Sequence, residues 1–113
     1  MESYIKNIEH STVLPLASQV EYQTGQIASK TLAQNKSHSL TLFAFEQNEE
    51  ISSHKSTGDA FVMALDGMGK ITIGDKEHVL KTGEAIVMPA QIPHAVYAVE
   101  RFKMLLVVIF PEN

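Results

Sequence analysis

The stretch Gly83-Glu84-Ala85-Ile86-Val87-Met88-Pro89-Ala90-Gln91-Ile92-Pro93-His94-Ala95-Val96-Tyr97-Ala98-Val99 sets the pattern of the chain. Thr82-Gly83 is turn chemistry, and Ala85–Met88 is a short apolar run suited to a strand. Pro89 and Pro93 then break the backbone, because proline lacks an N–H and fixes its own φ. Ala95–Val99 follows as a second strand. The reading is strand, turn, strand, with no room for a helix.

The same rhythm extends outward from this stretch. Further candidate strands are Ile27–Leu32, Leu40–Phe45, Ala60–Leu65, Lys70–Ile73, His78–Leu80 and Met104–Phe110. Between them fall Asn35-Lys36-Ser37, Gln47-Asn48-Glu49-Glu50, Asp66-Gly67-Met68-Gly69 and Gly74-Asp75, all rich in turn formers. Closely spaced short strands predict an all-β sandwich or barrel. The length of 113 residues suits one domain, with residues 26–113 as the barrel. Residues 1–25 read as an N-terminal arm, a short helical turn or an edge strand, because Pro15 disrupts Val13-Leu14-Pro15-Leu16.

Two strands are apolar at every position: Phe61-Val62-Met63-Ala64-Leu65, and the run from Met104 to Phe110. Successive side chains of a strand point to opposite faces, so both faces need cover. One face is the core. A second copy of the chain is the expected cover for the other, giving a homodimer; the alternative is cover in cis by the arm. Alternation places Ala60, Val62 and Ala64 on one face with His54 and Ser56, and Phe61, Met63 and Leu65 on the other.

Composition narrows the function classes. Apolar residues make up 44% of the chain and charged residues 19%, as in an ordinary folded protein. Net charge is −4 and the lysines and arginines are scattered, so neither nucleic acid nor an anionic membrane is an expected partner. There is no cysteine, which excludes disulfides, thiolate ligands and a Cys nucleophile. With no signal-like or membrane-spanning stretch, a soluble cytoplasmic protein is the expectation. Neither a phosphate-binding Gly-rich loop nor a Gly-x-Ser-x-Gly elbow is present.

The arrangement from His54 to Ala98 resembles the paired motifs of the cupin family, specifically a small single-domain cupin of the conserved-barrel type, and the resemblance covers roughly Leu40 to Phe110. The family's first motif has an opening Gly, a His-x-His pair, a Glu and a closing Gly. Here His54 and Gly67 match, while Asn48 replaces the opening Gly, Ser56 the second His and Ala60 the Glu. In the second motif Gly83, Pro89 and His94 match, while Gln91 replaces a Gly and Ala98 the terminal Asn. The resemblance implies a cupin-type double-stranded β-helix, or jelly-roll barrel, with a hairpin across Gly74-Asp75 between the motifs.

In that family three His and one Glu converge on a divalent metal such as Mn, Fe, Ni, Zn or Cu. The resemblance therefore carries His54 and His94 over as the remaining metal-ligand positions. Asp59, beside the lost Glu, could complete the set only if a β-bulge turned it inward. His38 is a further candidate; His78 reads as exposed on a hairpin, and His10 lies in the arm. The expected ligand pocket comprises His54, Ser56, Ala60, Val62, Met88 and His94, with Phe43, Phe45, Tyr97 and Met104 as further candidate lining residues.

Three functions follow as expectations. The first is a small-molecule-binding barrel with an incomplete metal site, sensing or sequestering its ligand. The second is a metal-dependent enzyme of the dioxygenase or isomerase type using His54 and His94. The third is a non-catalytic structural or interaction domain. No catalytic residue is assigned.

Overall fold

The computed structural model describes residues 3–112. Seven strands follow in chain order: β1 Ile27–Gln34, β2 His38–Phe45, β3 Glu50–His54, β4 Asp59–Ile73, β5 Lys76–Lys81, β6 Ala85–Met88 and β7 His94–Ile109. All pair antiparallel. The fold is the all-β jelly-roll barrel that the sequence predicts.

Two strands organise it. β4 and β7 pair along nearly their whole length, from Asp59↔Ile109 to Ile73↔His94. The first half of β4 and the second half of β7 sit between β6 on one side and β2 with β1 on the other. The remaining halves carry β5 and β3 on their free edges. The β4–β7 ladder is thus shared by two sheets, and the core lies between them.

The sharing requires a corner. Register slips between Ala64 and Asp66 and again between Gly67 and Gly69. These irregularities switch which residues of β4 face inward: Ala60, Val62 and Ala64 are buried before the corner, Gly69 and Ile71 after it. Gly67 has φ +73°, and a Cβ there would sit 1.6 Å from the Arg101 carbonyl oxygen. At Gly69 a Cβ would fall 2.6 Å from the ring of Phe102, which is fully buried. Only glycine permits that approach.

Two sequence expectations are corrected here. Asp66-Gly67-Met68-Gly69 is not a turn between strands Ala60–Leu65 and Lys70–Ile73; it is a bend inside β4. Ala95–Val99 and Met104–Phe110 likewise belong to one strand, β7, which ends at Ile109. β3 was not expected at all. It is an edge strand, mostly exposed and partly serine, so no alternating apolar signal marks it. The Gly74-Asp75 hairpin joins β4 to β5 as expected.

The arm contains a single 3₁₀ turn, Leu16–Gln19, and packs on the outer face of the sheet. Val20 is buried there with Leu32, Leu42 and Ala44, against Leu65 and Leu105. The arm is also pinned at the corner. The Tyr22 hydroxyl donates to Asp66 Oδ2 at 2.5 Å, and the Tyr22 ring meets the cations of Arg101 and Lys103 at 5.1 and 4.8 Å. Lys103 Nζ donates to the Ala17 carbonyl at 2.6 Å. Burial, and then the Asp66 carboxylate, raise the Tyr22 pKa, so the phenol stays protonated. The arm therefore covers in cis part of the face for which a second copy was expected. Phe61, Val87 and Ile109, at 40%, 50% and 57% exposure, remain uncovered. Among the described residues no helix is long and apolar enough to cross a membrane.

Two glycines of positive φ separate strain from crowding. A Cβ at Gly83, φ +89°, meets nothing within 4 Å, whereas one at Gly67 meets backbone. Gly83→Ala should cost about 1–2 kcal/mol from φ strain alone. Gly67→Ala should cost clearly more, lowering Tm by about 10 °C or more, or prevent folding. Thermal unfolding by circular dichroism decides; equal losses would contradict the corner's role.

Candidate functional site

β3 leaves the sheet at His54, and β7 enters it at His94. The two residues are register partners across the β3–β7 pair. Their rings meet edge to face with centroids 4.4 Å apart. His94 is 4% exposed, while His54 lies at the open side.

Each imidazole is oriented in the same way. His54 Nδ1 lies 3.0 Å from the Ser52 carbonyl oxygen, and His94 Nδ1 lies 3.3 Å from that of Ile92. A carbonyl oxygen can only accept, so Nδ1 carries a proton in both rings, and in the neutral form of each ring Nε2 carries the lone pair. Among the described residues neither Nε2 has a hydrogen-bond partner. Among the described residues every fully buried side-chain nitrogen or oxygen is paired. The free Nε2 of His94 must therefore lie where water or a ligand reaches it.

His94 and His54 both line a cavity of about 240 Å³. Val96, Met104, Leu106 and Val108 of β7 supply much of its wall. Ile51 of β3, Ala60 of β4 and Met88 of β6 complete the apolar lining. Lys55 and Ser56, on the loop after β3, stand at the same cavity.

Five of the six residues expected in the pocket line this cavity together: His54, Ser56, Ala60, Met88 and His94. Val62 does not; it is completely buried in the adjoining core. Of the further candidates Met104 lines it, while Phe43 and Phe45 pack within or against the core and the Tyr97 hydroxyl donates to Asn48 Oδ1 at 2.6 Å. Ile51, Lys55, Val96, Leu106 and Val108 were not expected. Ile51 and Lys55 were hidden by the unrecognised β3. The β7 residues were hidden by reading that strand as two.

Asp59 is exposed and turned away from the cavity. Its Oδ1 accepts a hydrogen bond from the Ala90 amide at 2.8 Å. The Gln91 amide donates to the Ser56 carbonyl at 2.9 Å, so these two bonds tie the loop after β3 to the loop before β7. Gln91 and Asn48 both hold positive φ, +67° and +71°. The backbone that the family builds with glycine is thus kept here without it. Ser56 Oγ accepts from the Gly58 amide at 3.1 Å. His38 contacts Asn35 and Ser37 at the start of β2, and His78 is exposed on β5. The His10 ring is bonded to the Ile5 carbonyl within the arm.

A resident divalent metal does not fit this donor set. Such sites take three or four protein ligands. Among the described residues no group of three His, Cys, Asp or Glu is placed to share an ion. Ser56 is engaged elsewhere, Ala60 has no donor, and Asp59 faces out.

Burial, and next the neighbouring imidazole of His54, push the His94 pKa below the ordinary histidine value; the Ile92 carbonyl works against that shift. His94 is therefore neutral at neutral pH. What the arrangement offers chemically is a pair of lone pairs at one end of an apolar chamber.

Comparison with known proteins agrees with this fold. The cupin domain family matches residues 41–110, more than half of the chain. A conserved protein of unknown function from Streptococcus pyogenes is 47% identical over 99% of this chain and 98% of its own, with TM-score 0.96. A cupin superfamily protein from Desulfitobacterium hafniense is 32% identical over 96% of this chain and 100% of its own, with TM-score 0.92. A cupin 2 conserved barrel domain protein from Leptotrichia buccalis is 45% identical over 83% of this chain but 46% of its own, with TM-score 0.81. No functionally curated protein matches the chain. The chain belongs to the cupin domain family, as a small cupin barrel.

The depressed pKa of His94 has a signed consequence. The unfolded chain binds a proton at His94 near pH 6.5 that the folded chain does not accept until lower pH. The stability that neutral His94 contributes is therefore complete above about pH 6.5 and declines as pH falls through that value toward the folded pKa. His94→Gln should flatten this part of the pH–stability curve, read by urea unfolding between about pH 7.5 and 5. An unchanged slope in the variant would place the proton uptake elsewhere.

Proposed function

We propose that this chain is a small-molecule-binding cupin that senses or sequesters its ligand in the cavity closed by His54 and His94. One observation carries the reading: two imidazoles, each held by a backbone carbonyl, present unpartnered Nε2 atoms to an apolar cavity that has no third metal donor. Binding sites of this kind combine apolar walls with a few placed polar groups. The alternative, a dioxygenase or isomerase built on a resident metal, needs further ligands from outside the described donor set.

Elemental analysis of protein purified without chelator or affinity metal tests the choice. The binding reading expects far less than one metal per chain, even after incubation with Mn, Fe, Ni, Zn or Cu. Roughly one metal per chain, lost in His54→Ala, would overturn it in favour of the enzyme.

The proposed assembly is a homodimer through the outer face of the sheet. Phe61 pairs in register with Val87 on one side and Val107 on the other, giving an apolar row across β6, β4 and β7. Phe61 and Val87 stay exposed beside the part that the arm covers. An uncovered apolar sheet face suits a second copy related by a two-fold axis, the commonest symmetry of soluble oligomers. Light scattering at micromolar concentration should give twice the chain mass of 12.5 kDa, and Phe61→Glu should return it to one. A wild-type mass of one chain would refute the dimer.

A further inference from the structure

The chemistry of the cavity says more than that something small binds. Resting on the reading of this cavity as a binding site, we infer that its ligand is a small organic acid, with the acid group at His54 and His94 and a compact apolar body against the β7 wall.

Four features of the chamber converge on that class. Both Nδ1 atoms are committed to backbone carbonyls, so only Nε2 of each ring is offered to a ligand. In neutral imidazoles these are acceptors and need a partner that brings a proton. A carboxylic acid brings one. It binds either as the neutral acid donating to Nε2, or as a carboxylate accepting from an imidazolium formed by the same proton. Both descriptions have the same atoms and the same net charge.

The charge at the cavity has one sign. Among the described residues Lys55 is the only charged side chain in its lining, and it belongs to neither ion pair found there. Among the described residues no Asp or Glu lines it. Asp59, next to Ala60 of the lining, is turned out onto the Ala90 amide. A cationic ligand would meet Lys55 with no counter-charge, and a divalent metal would find two ligands. An anion meets a free ammonium and two imidazoles, partners suited to charge-assisted hydrogen bonds.

The remaining walls set the size and character of the rest of the ligand. Ala60, Met88, Val96, Met104 and Leu106 offer no polar side-chain atom other than methionine sulfur, so the body of the ligand is apolar. At about 30 Å³ per water molecule in the liquid, a cavity of 240 Å³ equals roughly eight waters. A branched short-chain or single-ring acid is of that order and matches the apolar wall; a sugar acid or nucleotide would set its hydroxyls against side chains with no polar partner for them.

The test is titration calorimetry on the full chain with matched probes: isobutyrate and benzoate against isobutyramide, benzamide and benzylamine. At least one acid should bind, and bind about tenfold or more tightly than its amide, while the amine should not bind. Lys55→Met, a change at an exposed side chain, should weaken acid binding several-fold more than amide binding. His94→Gln, checked for folding by its amide spectrum, should abolish the preference for acid over amide. Amides binding as well as acids would overturn the acid assignment while leaving the binding cavity standing. Amine binding ahead of acid would reverse the sign and overturn it too. No binding by any probe at millimolar concentration would overturn both this inference and the reading on which it rests.

Discussion

The structure depends on one bent ladder. β4 and β7 run antiparallel past each other through both sheets, and at Gly67 and Gly69 the pair turns a corner around Phe102. Because both strands cross the corner, the sheets do not need separate hairpins to hold them together. The arm is fastened at the same place, with Tyr22 on Asp66 and its ring against Arg101 and Lys103. Arg101 in turn holds Glu46, which follows β2, through two hydrogen bonds of 2.7 and 3.0 Å. Exposed ion pairs of this kind contribute little each, so the corner rests on the glycine backbone and the buried Phe102 ring.

The site follows from the same ladder. Where the far half of β7 begins, His94 is drawn under β3 and set against His54. β7 also supplies Val96, Met104, Leu106 and Val108 to the apolar wall, because its even-numbered residues stay inward on both sides of the corner. Loops tied by Asp59 to Ala90 and by Gln91 to Ser56 hold the cavity mouth. The position beside the lost glutamate has thus become a structural tie. That change fits a cavity whose polar end holds two imidazoles, Ser56 and Lys55 but no carboxylate among the described residues.

How much of this was legible in the sequence varied with the physical signal available. Strand composition and turn residues located β1, β2, β5 and β6 within a few residues, and alternation correctly put Ala60, Val62 and Ala64 inward. The same alternation failed across the corner. The irregular pairing there lets β4 change inward parity between Ala64 and Gly69, so one strand reads as two separated by a glycine turn. β3 carries too few apolar residues to announce itself, and with it Ile51 and Lys55 were missed. The proximity of His54 to His94 came from family resemblance alone, since nothing in the spacing of two histidines forty residues apart brings their rings together. That their Nε2 atoms are left free depends on backbone carbonyls, which no side-chain pattern records.

The central claim is that both imidazoles present bare Nε2 lone pairs to the cavity without a resident metal. Long-range proton–nitrogen correlation NMR of the histidine rings, at about pH 7.5 before and after chelator, reads this atom by atom. The prediction is that the neutral rings of His54 and His94 are both Nδ1-protonated and that chelator changes neither spectrum. An Nε2-protonated ring at His94, or Nε2 signals that shift when chelator is added, would contradict it.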